Sequence, residues 1–405
     1  MIRSSKVSLK FSNPGKLEAL QGFVSEYRKL TQFFVDLLWP LRDGKLPGLL
    51  PKEMTSQAQT WLSKRAIQAA GKQASGIVRG AVQKQKQRMF VYKKLLKEGR
   101  FKQARRLQWV INQQKISKPS LKMVNPELDS RFVKVDLHPA AKEFEGWLTL
   151  SSIGKKIKLE LPFKGTSHLT KMLERGQLRP GARLSPRWVS LALEIPDPPK
   201  REAGSVLGID VGVRKVISAS NGIQSQDDPH GWNLERIQQR LSRRKKGSKG
   251  LGRAQSHRNN YVNWSVNQLN LEGVREVRVE DLKHMRRGKR TGRYLSHWTY
   301  SAILGKLGRA CEESGVRISR VSPTYTSQRC SGCGWVRKGN RRGDQFRCKA
   351  CGFEQDADLN ASRNIALGLP AISRRQRLGH ANRVGFYWQV PGQESIVPGA
   401  RGALS

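Results

Sequence analysis

Apolar positions change period several times along this chain, and each change predicts an element. Residues 5 to 11 (SKVSLKF) alternate and run into Asn13-Pro14-Gly15, which predicts a strand and then a turn. Leu17, Leu20, Phe23, Val24, Tyr27, Leu30, Phe34 and Leu37 then recur at helical spacing, predicting an amphipathic helix over 16 to 38 that Pro40 ends. From Lys64 to Trp109 the pattern is helical again, with Phe90, Tyr92 and Phe101 set among bases. Between 132 and 195 the period is two: Val133, Val135 and Leu137, then Ile157, Leu159 and Leu161, then Val189, Leu191 and Leu193 alternate with polar neighbours. Several such strands predict a small β-barrel or sandwich. Pro196-Asp197-Pro198-Pro199 cannot continue a sheet and reads as a linker.

The second half opens on Val206-Leu207-Gly208-Ile209-Asp210-Val211-Gly212, an oily strand that ends in a carboxylate. An unpaired acid there would be costly, so Asp210 calls for a cation. Lys215 to Ala219 reads as a second strand in a hairpin, and Leu234 to Asn263 as a helical arm. Val274 to Val279 is a strand that ends at Glu280-Asp281. A helix over Trp298 to Ser314, a strand over Val316 to Val321 and a helix over Leu359 to Leu367 follow.

Charge changes the picture. The 405 residues carry 76 Lys and Arg against 31 Asp and Glu, a formal net charge of +45 that opposes folding unless a polyanion neutralises it. With 37% hydrophobic residues the chain can still bury a real core, so it is not a disordered polycation. Nucleic acid is the partner this implies, because each phosphate engaged releases condensed cations. Between Lys64 and Trp109 lie fourteen Lys or Arg and one acid, Glu98, too lopsided for a face of i,i+4 ion pairs. Lys64, Arg65, Arg79, Arg88, Lys93, Lys94, Arg105 and Arg106 are therefore candidate nucleic-acid contacts. So are Arg243, Arg244, Lys245 and Lys246, in a stretch that reads as a flexible basic loop against phosphate. A third basic group, Lys283, Arg286, Arg287, Lys289, Arg290 and Arg293, follows Glu280 at once. No apolar run reaches the length of a membrane span and the amino terminus has no signal-type core. With four of five cysteines committed to metal, the chain reads as a protein of a reducing cytoplasm, at the nucleoid when on DNA.

Those four stand as Cys330-x2-Cys333 and Cys348-x2-Cys351 with fourteen residues between the pairs, the spacing of a zinc ribbon. Gly334 and Gly352 follow the pairs, as a tight knuckle requires. Two disulfides or inert buried thiols are the competing reading, but the spacing is a strong signal and no disulfide framework surrounds them. Directly afterwards come Asp356-Ala357-Asp358 and a helix; an aspartate there is ordinarily only a cap. Its company argues for more. Asp210, Glu280 and Asp358 lie seventy and seventy-eight residues apart, on a strand, a strand and a helix start, in the order of a ribonuclease-H-like α/β domain. Such a trio can hold two divalent cations about 4 Å apart, one activating water and one stabilising the leaving oxygen of a phosphodiester. Magnesium suits it, as a hard ion that keeps waters.

GIDVG at 208 to 212, VEDL at 279 to 282, PTYTSQRCSGCG at 323 to 334 and CKACGFEQDADLNASRNI at 348 to 365 resemble the RuvC-type nuclease and zinc-ribbon signatures of the TnpB transposon proteins and the miniature type V CRISPR effectors. The resemblance is specific over 204 to 368, and Ser362 stands where the family more often has alanine. It implies a multidomain α+β chain: an RNase H-like (RuvC) α/β nuclease domain with an inserted zinc ribbon, preceded by a β-barrel wedge domain carrying a helical recognition insertion. On this layout 1 to 15 is the first wedge strand, 16 to 120 the recognition helices and 121 to 198 the wedge barrel. Residues 199 to 325 and 354 to 370 form the nuclease around a ribbon at 326 to 353, and 371 to 405 read as a disordered tail. By the resemblance Asp210, Glu280 and Asp358 are catalytic, with Asp356 a weaker candidate for the third ligand. The activity implied is guide-RNA-directed cleavage of double-stranded DNA beside a short flanking motif, with structural Zn2+ and catalytic Mg2+. No HNH-type cluster occurs among the seven histidines, so one nuclease site would cut both strands in turn. The alternatives are an RNA-guided repressor, which would need a broken acidic trio, a guide-free transposase, and a structural RNA-binding protein, which leaves Asp210 unexplained.

Overall fold

The computed structural model describes residues 1–113, 117–138, 141–282, 299–370, 372 and 385–388. The chain divides into two compact units, Met1–Pro196 and Asp197–Ser405.

In the first unit, strand β1 (Ile2–Ser8) is followed by helix α1 (Pro14–Leu38), with a proline in its first turn where the missing N–H costs nothing. The apolar stripe of α1 is buried at Leu20, Phe23, Val24, Tyr27, Leu30 and Phe34. A short turn, α2 (Lys52–Thr55), leads to α3 (Lys64–Lys97), capped by Ser63, whose hydroxyl accepts from Ala66 N–H at 3.0 Å. The buried face of α3 is small (Ala66, Ala70, Gly71, Ala74, Ser75, Val78), which lets its backbone approach its neighbours closely; a Cβ at Gly71 would lie 2.6 Å from Leu50. Its buried residues stop at Val82, and the rest of the helix carries bases and exposed apolar groups such as Phe90.

The single helical run predicted over 64 to 109 divides. Gly99 takes a left-handed φ of +67° after Glu98, ending α3, and α4 (Phe101–Gln113) begins two residues on. Strands β2 (Glu127–Leu128), β3 (Val133–Leu137), β4 (Gly146–Leu150), β5 (Leu159–Phe163), β6 (Gln177–Leu184) and β7 (Trp188–Glu194) follow, with α5 (Ser167–Leu173) between β5 and β6. They make two antiparallel sheets, β1-β7-β6-β2 and β3-β4-β5, and among the described residues no closed ring of strands. Both sheets and the helices α1 and α3 share one apolar core.

The second unit is mixed α/β. Strand β8 (Ser205–Asp210) and the short β9 (Ser218–Ala219) pair antiparallel, so the predicted second strand is only its last two residues. The predicted arm is two helices, α6 (Leu234–Ser242) and α7 (Lys249–Asn267), each capped by the side chain before it, Asn233 and Ser248. Gly247 at φ +82° turns the basic connector between them. Strand β10 (Val274–Glu280), helix α8 (Tyr300–Glu313) and strand β11 (Arg317–Val321) complete a sheet ordered β11-β10-β8-β9, with β8, β10 and β11 parallel.

The ribbon contributes β12 (Trp335–Val336), β13 (Arg341–Arg342), β14 (Gln345–Arg347) and β15 (Glu354–Asp356), then helix α9 (Ala357–Leu367). Helix α9 lies against β8 at Gly208, where a Cβ would come within 2.1 Å of Ser362 O and 2.4 Å of Ala366 N. The tail read as disordered departs from that reading at one place. Strand β16 (Phe386–Tyr387) pairs antiparallel with β12 because the tail keeps an aromatic run, Phe386-Tyr387-Trp388, that the ribbon's rings can pack. The rest of the tail, apart from Ile372 and Gly385, lies outside the described residues, as does the basic group from Lys283 to Arg293.

Candidate active site and metal centre

The four thiols come together on two turns. Cys330 Sγ lies 3.8 Å from Cys351 Sγ, and Cys333 Sγ lies 3.6 Å from Cys348 Sγ, with all four within 4.8 Å of one another. That excludes disulfides, which need about 2 Å. It fits a tetrahedral thiolate site, in which metal–sulfur bonds of about 2.3 Å put sulfurs roughly 3.8 Å apart. The four thiols can therefore hold one metal ion. Gly334 and Gly352 have φ of +81° and +75°, the left-handed corners that turn each knuckle. Burial pushes the Cys330 thiol up to about 11 and raises Cys333 as well; against burial, the amide of Phe353 and the neighbouring thiols lower Cys351.

The sheet register brings the first two carboxylates side by side. Ile209 pairs with Val279 in the parallel ladder, so Asp210 and Glu280 are the next positions on adjacent strands, at the carboxyl ends where open α/β sheets place their ligands. Asp358 joins them from the first turn of α9. Burial first, then the charges of Glu280 and Asp358, push the Asp210 carboxyl well above the usual carboxylate range. Burial also raises Glu280, opposed by a hydrogen bond from Thr326 and the charge of Arg341. The carboxylates are not drawn into a cluster as tight as the thiols.

Asp356 has other work. Its Oδ1 accepts the amides of Asp358 and Leu359, both at 3.0 Å, as the cap of α9. Lys215 and Gln224 also donate to it, at 2.9 and 2.8 Å. Burial opposes its ionisation, but these donors hold it below the usual carboxylate range. Of the two aspartates, Asp358 is the one whose charge reaches Asp210.

Several groups at the site escaped the sequence reading. Arg341, on the ribbon strand β13, donates through Nη2 to Asp358 Oδ1 at 2.8 Å. Thr326 donates its hydroxyl to Glu280 Oε1, and the Tyr300 hydroxyl donates to the backbone carbonyl of Glu280 while accepting the Leu282 amide at 3.2 Å. Buried amides lock the ribbon to α9. Asn360 accepts the Ser331 amide at 2.9 Å and donates to Arg329 O at 2.8 Å, while Asn364 donates to Thr326 O at 2.9 Å and Arg329 O at 2.7 Å. The string TSQRC…DLNASRN held these residues in view, but nothing in spacing says that an asparagine on a helix closes a distant turn.

The basic candidates are surface groups. Lys64, Arg65, Arg79, Lys93, Lys94, Arg105 and Arg106 are exposed along α3 and α4, as are Arg243, Arg244, Lys245 and Lys246 between α6 and α7; Arg88 is half-buried. Next to Arg65, whose guanidinium donates to Ser152 Oγ at 3.3 Å, a cavity of about 590 Å³ is lined by Trp61, Lys155, Lys156 and Lys158.

An α/β unit with a four-thiol metal site beside converging acids is the frame on which the comparisons with known proteins fall. Residues 300–365 match the family model described as Cas12f1-like, TNB domain. The chain is 42% identical over 108 residues to the CRISPR-associated endodeoxyribonuclease Cas12f1 of Sulfoacidibacillus thermotolerans, covering 26% of this chain and 25% of that one. It is 28% identical over 181 residues to Cas12f1 of Syntrophomonas palmitatica, covering 36% of each, and 34% identical over 94 residues to a TnpB-like protein of Aquifex aeolicus, covering 21% of this chain and 30% of that one. The chain thus spans between 25% and 36% of these relatives' own length. A cryo-EM structure of a Cas12f1–sgRNA–target DNA complex superposes with a TM-score of 0.44 at 15% identity, covering 90% of this chain and 98% of that one. Over these stretches the chain is similar in sequence to Cas12f1 and TnpB-like proteins, whose signatures its motifs resemble. Among the described residues no helix is long and apolar enough to cross a membrane.

Proposed function

We propose that this chain is an RNA-guided DNA endonuclease in which an RNase H-like, RuvC-type domain hydrolyses phosphodiester bonds of both strands of a target paired with the guide. The observation that carries the reading is the convergence of Asp210, Glu280 and Asp358 at the carboxyl edge of the sheet, close enough for the other two charges to shift Asp210. The strand order β11-β10-β8-β9, with one antiparallel edge, supports the RNase H-like assignment. Asp210, Glu280 and Asp358 would hold Mg2+, and Cys330, Cys333, Cys348 and Cys351 a structural Zn2+. When bound, two Mg2+ ions supply an activated water and charge stabilisation at the leaving oxygen.

The protein's own part is positioning. Thr326 fixes one oxygen of Glu280, and the other would coordinate. Arg341 supplies positive charge at the mouth of the acids, where phosphate arrives. The exposed bases of α3, α4 and the α6–α7 connector would follow the backbones of guide and target, and the two sheets of the first unit would serve as the wedge around which the recognition helices are inserted.

The test uses the full chain with its copurifying RNA. Asp210→Ala and Glu280→Ala should each cut a matched duplex at least about a thousandfold slower in Mg2+ while binding guide and target with unchanged affinity. Either variant cutting at the wild-type rate removes the active-site assignment. Sequencing the copurified RNA separates guidance, which requires a common scaffold ending in a variable segment, from general RNA binding, which would yield a mixture.

A further inference from the structure

The segment Gly385–Trp388 does something neither the motifs nor the comparisons assign. It returns to the ribbon as β16, with Trp335 opposite Tyr387 and Val336 opposite Phe386. The Trp388 amide donates to Gly334 O at 3.0 Å, on the corner of the first cysteine knuckle. Rings close around the junction: Phe386 and Trp388 meet Tyr325 edge-on at 5.4 and 6.1 Å, and Tyr387 meets Trp335 at 4.8 Å.

Arg329 is the centre of this contact. It is 4% exposed, yet its hydrogen bonds run to neutral oxygens: Nε to Trp388 O at 2.7 Å, and Nη1 to Asn364 Oδ1 at 2.8 Å and to Cys330 O at 3.2 Å. A buried guanidinium without a carboxylate is costly, and one of the oxygens that satisfies it is the backbone carbonyl of Cys330, on the first knuckle of the thiol site. Asn364, which Arg329 grips, belongs to the helix that carries Asp358, and its amide holds Thr326, whose hydroxyl holds Glu280.

We infer that Gly385–Trp388 is a carboxy-terminal clasp, and that Arg329 is a positioning residue through which the clasp secures both the ribbon's metal and two of the three acids. Without the clasp, Arg329 loses its Trp388 acceptor, and the edge of β12 and the Gly334 corner lose their partners. The first knuckle then opens more readily, and Asn364 and Thr326 hold α9 and Glu280 less firmly. The catalytic half of this inference rests on the nuclease reading; the metal half does not.

The test displaces the clasp in the full-length, zinc-loaded protein. A Cβ at Gly385 would meet the Trp335 ring at 2.3 Å, so Gly385→Val should push the segment off. Metal passing to excess chelator, followed with a zinc dye, should leave about tenfold faster than from wild type, and cutting at saturating guide and target should fall with guide affinity unchanged. Arg329→Met should act in the same direction, and Arg329→Lys, with charge but no planar fork, should restore part of the loss. Phe386→Ala, which adds no bulk, should give a smaller change of the same sign and serves if the valine variant misfolds. Wild-type metal loss in both Gly385→Val and Phe386→Ala overturns the clasp; wild-type metal loss in Arg329→Met overturns the role of Arg329. Asp210→Ala removes cutting without altering metal loss, so failure of the nuclease reading would leave the zinc measurement standing.

Discussion

The thiol cluster and the acid cluster stand in one unit and both suit metal, but they are organised on opposite terms. The four sulfurs pack at van der Waals range, Cys330 3.8 Å from Cys351 and Cys333 3.6 Å from Cys348, at the spacing one tetrahedral ion needs. The acids stand on neighbouring strands and a helix start, and burial first, then repulsion from Glu280 and Asp358, raises Asp210. They stay apart, and Arg341 lends one of them a counter-charge. A structural site gains by closing tightly around its ion, because metal binding is coupled to folding. The acid site, on the nuclease reading proposed above, gains from staying open to phosphate.

That contrast can be broken most easily from the thiol side. Cys330→Ser is expected to release the ribbon's metal and lower the melting temperature of the second unit by more than about 10 °C, since structural zinc contributes folding free energy directly. An unchanged calorimetric trace would mean the four sulfurs are mere core. Selective chelation should come next in size. Removing Mg2+ is expected to stop cutting reversibly and move the melting point by less than about 3 °C, whereas stripping the thiol site should lower it with or without Mg2+. Equal shifts from both would erase the distinction.

The smallest effect concerns Asp210 alone. Its folded carboxyl titrates above the unfolded value, so the fold disfavours its ionised form. Stability is therefore lost as pH rises from the unfolded carboxylate range through the higher folded value. In the absence of divalent ions at neutral pH, Asp210→Asn should melt about 2–4 °C higher than wild type, with the gap closing in acid. A lower melting point for the asparagine variant would show that the site does not strain its charge.

What the sequence made legible here are features whose meaning is local. Four cysteines at paired spacing declare a metal site, and an oily strand that ends in Asp210 or Glu280 declares an acid at a sheet edge, because each pattern costs free energy unless the chemistry is real. Helix α1 was readable from its stripe for the same reason. The break at Gly99 was not, since charges on both sides continue a helical period and only the glycine's left-handed φ interrupts it. Asp356 and Asp358 look alike in sequence; the donors that occupy Asp356, Lys215 and Gln224, come from more than 130 positions away. Arg341 and Arg329 were hidden among 76 bases, where nothing local marks a buried or bridging guanidinium.

Gly208 carries a consequence for anyone wishing to alter this protein. With Ser362 and Ala366 pressed against its α-carbon, strand and helix can be retuned only together: even a methyl group there would lever Asp358 away from Asp210. Engineering effort is better spent on the far end of α3, beyond Val82, where lengthening or shortening the helix disturbs no buried side chain of its own.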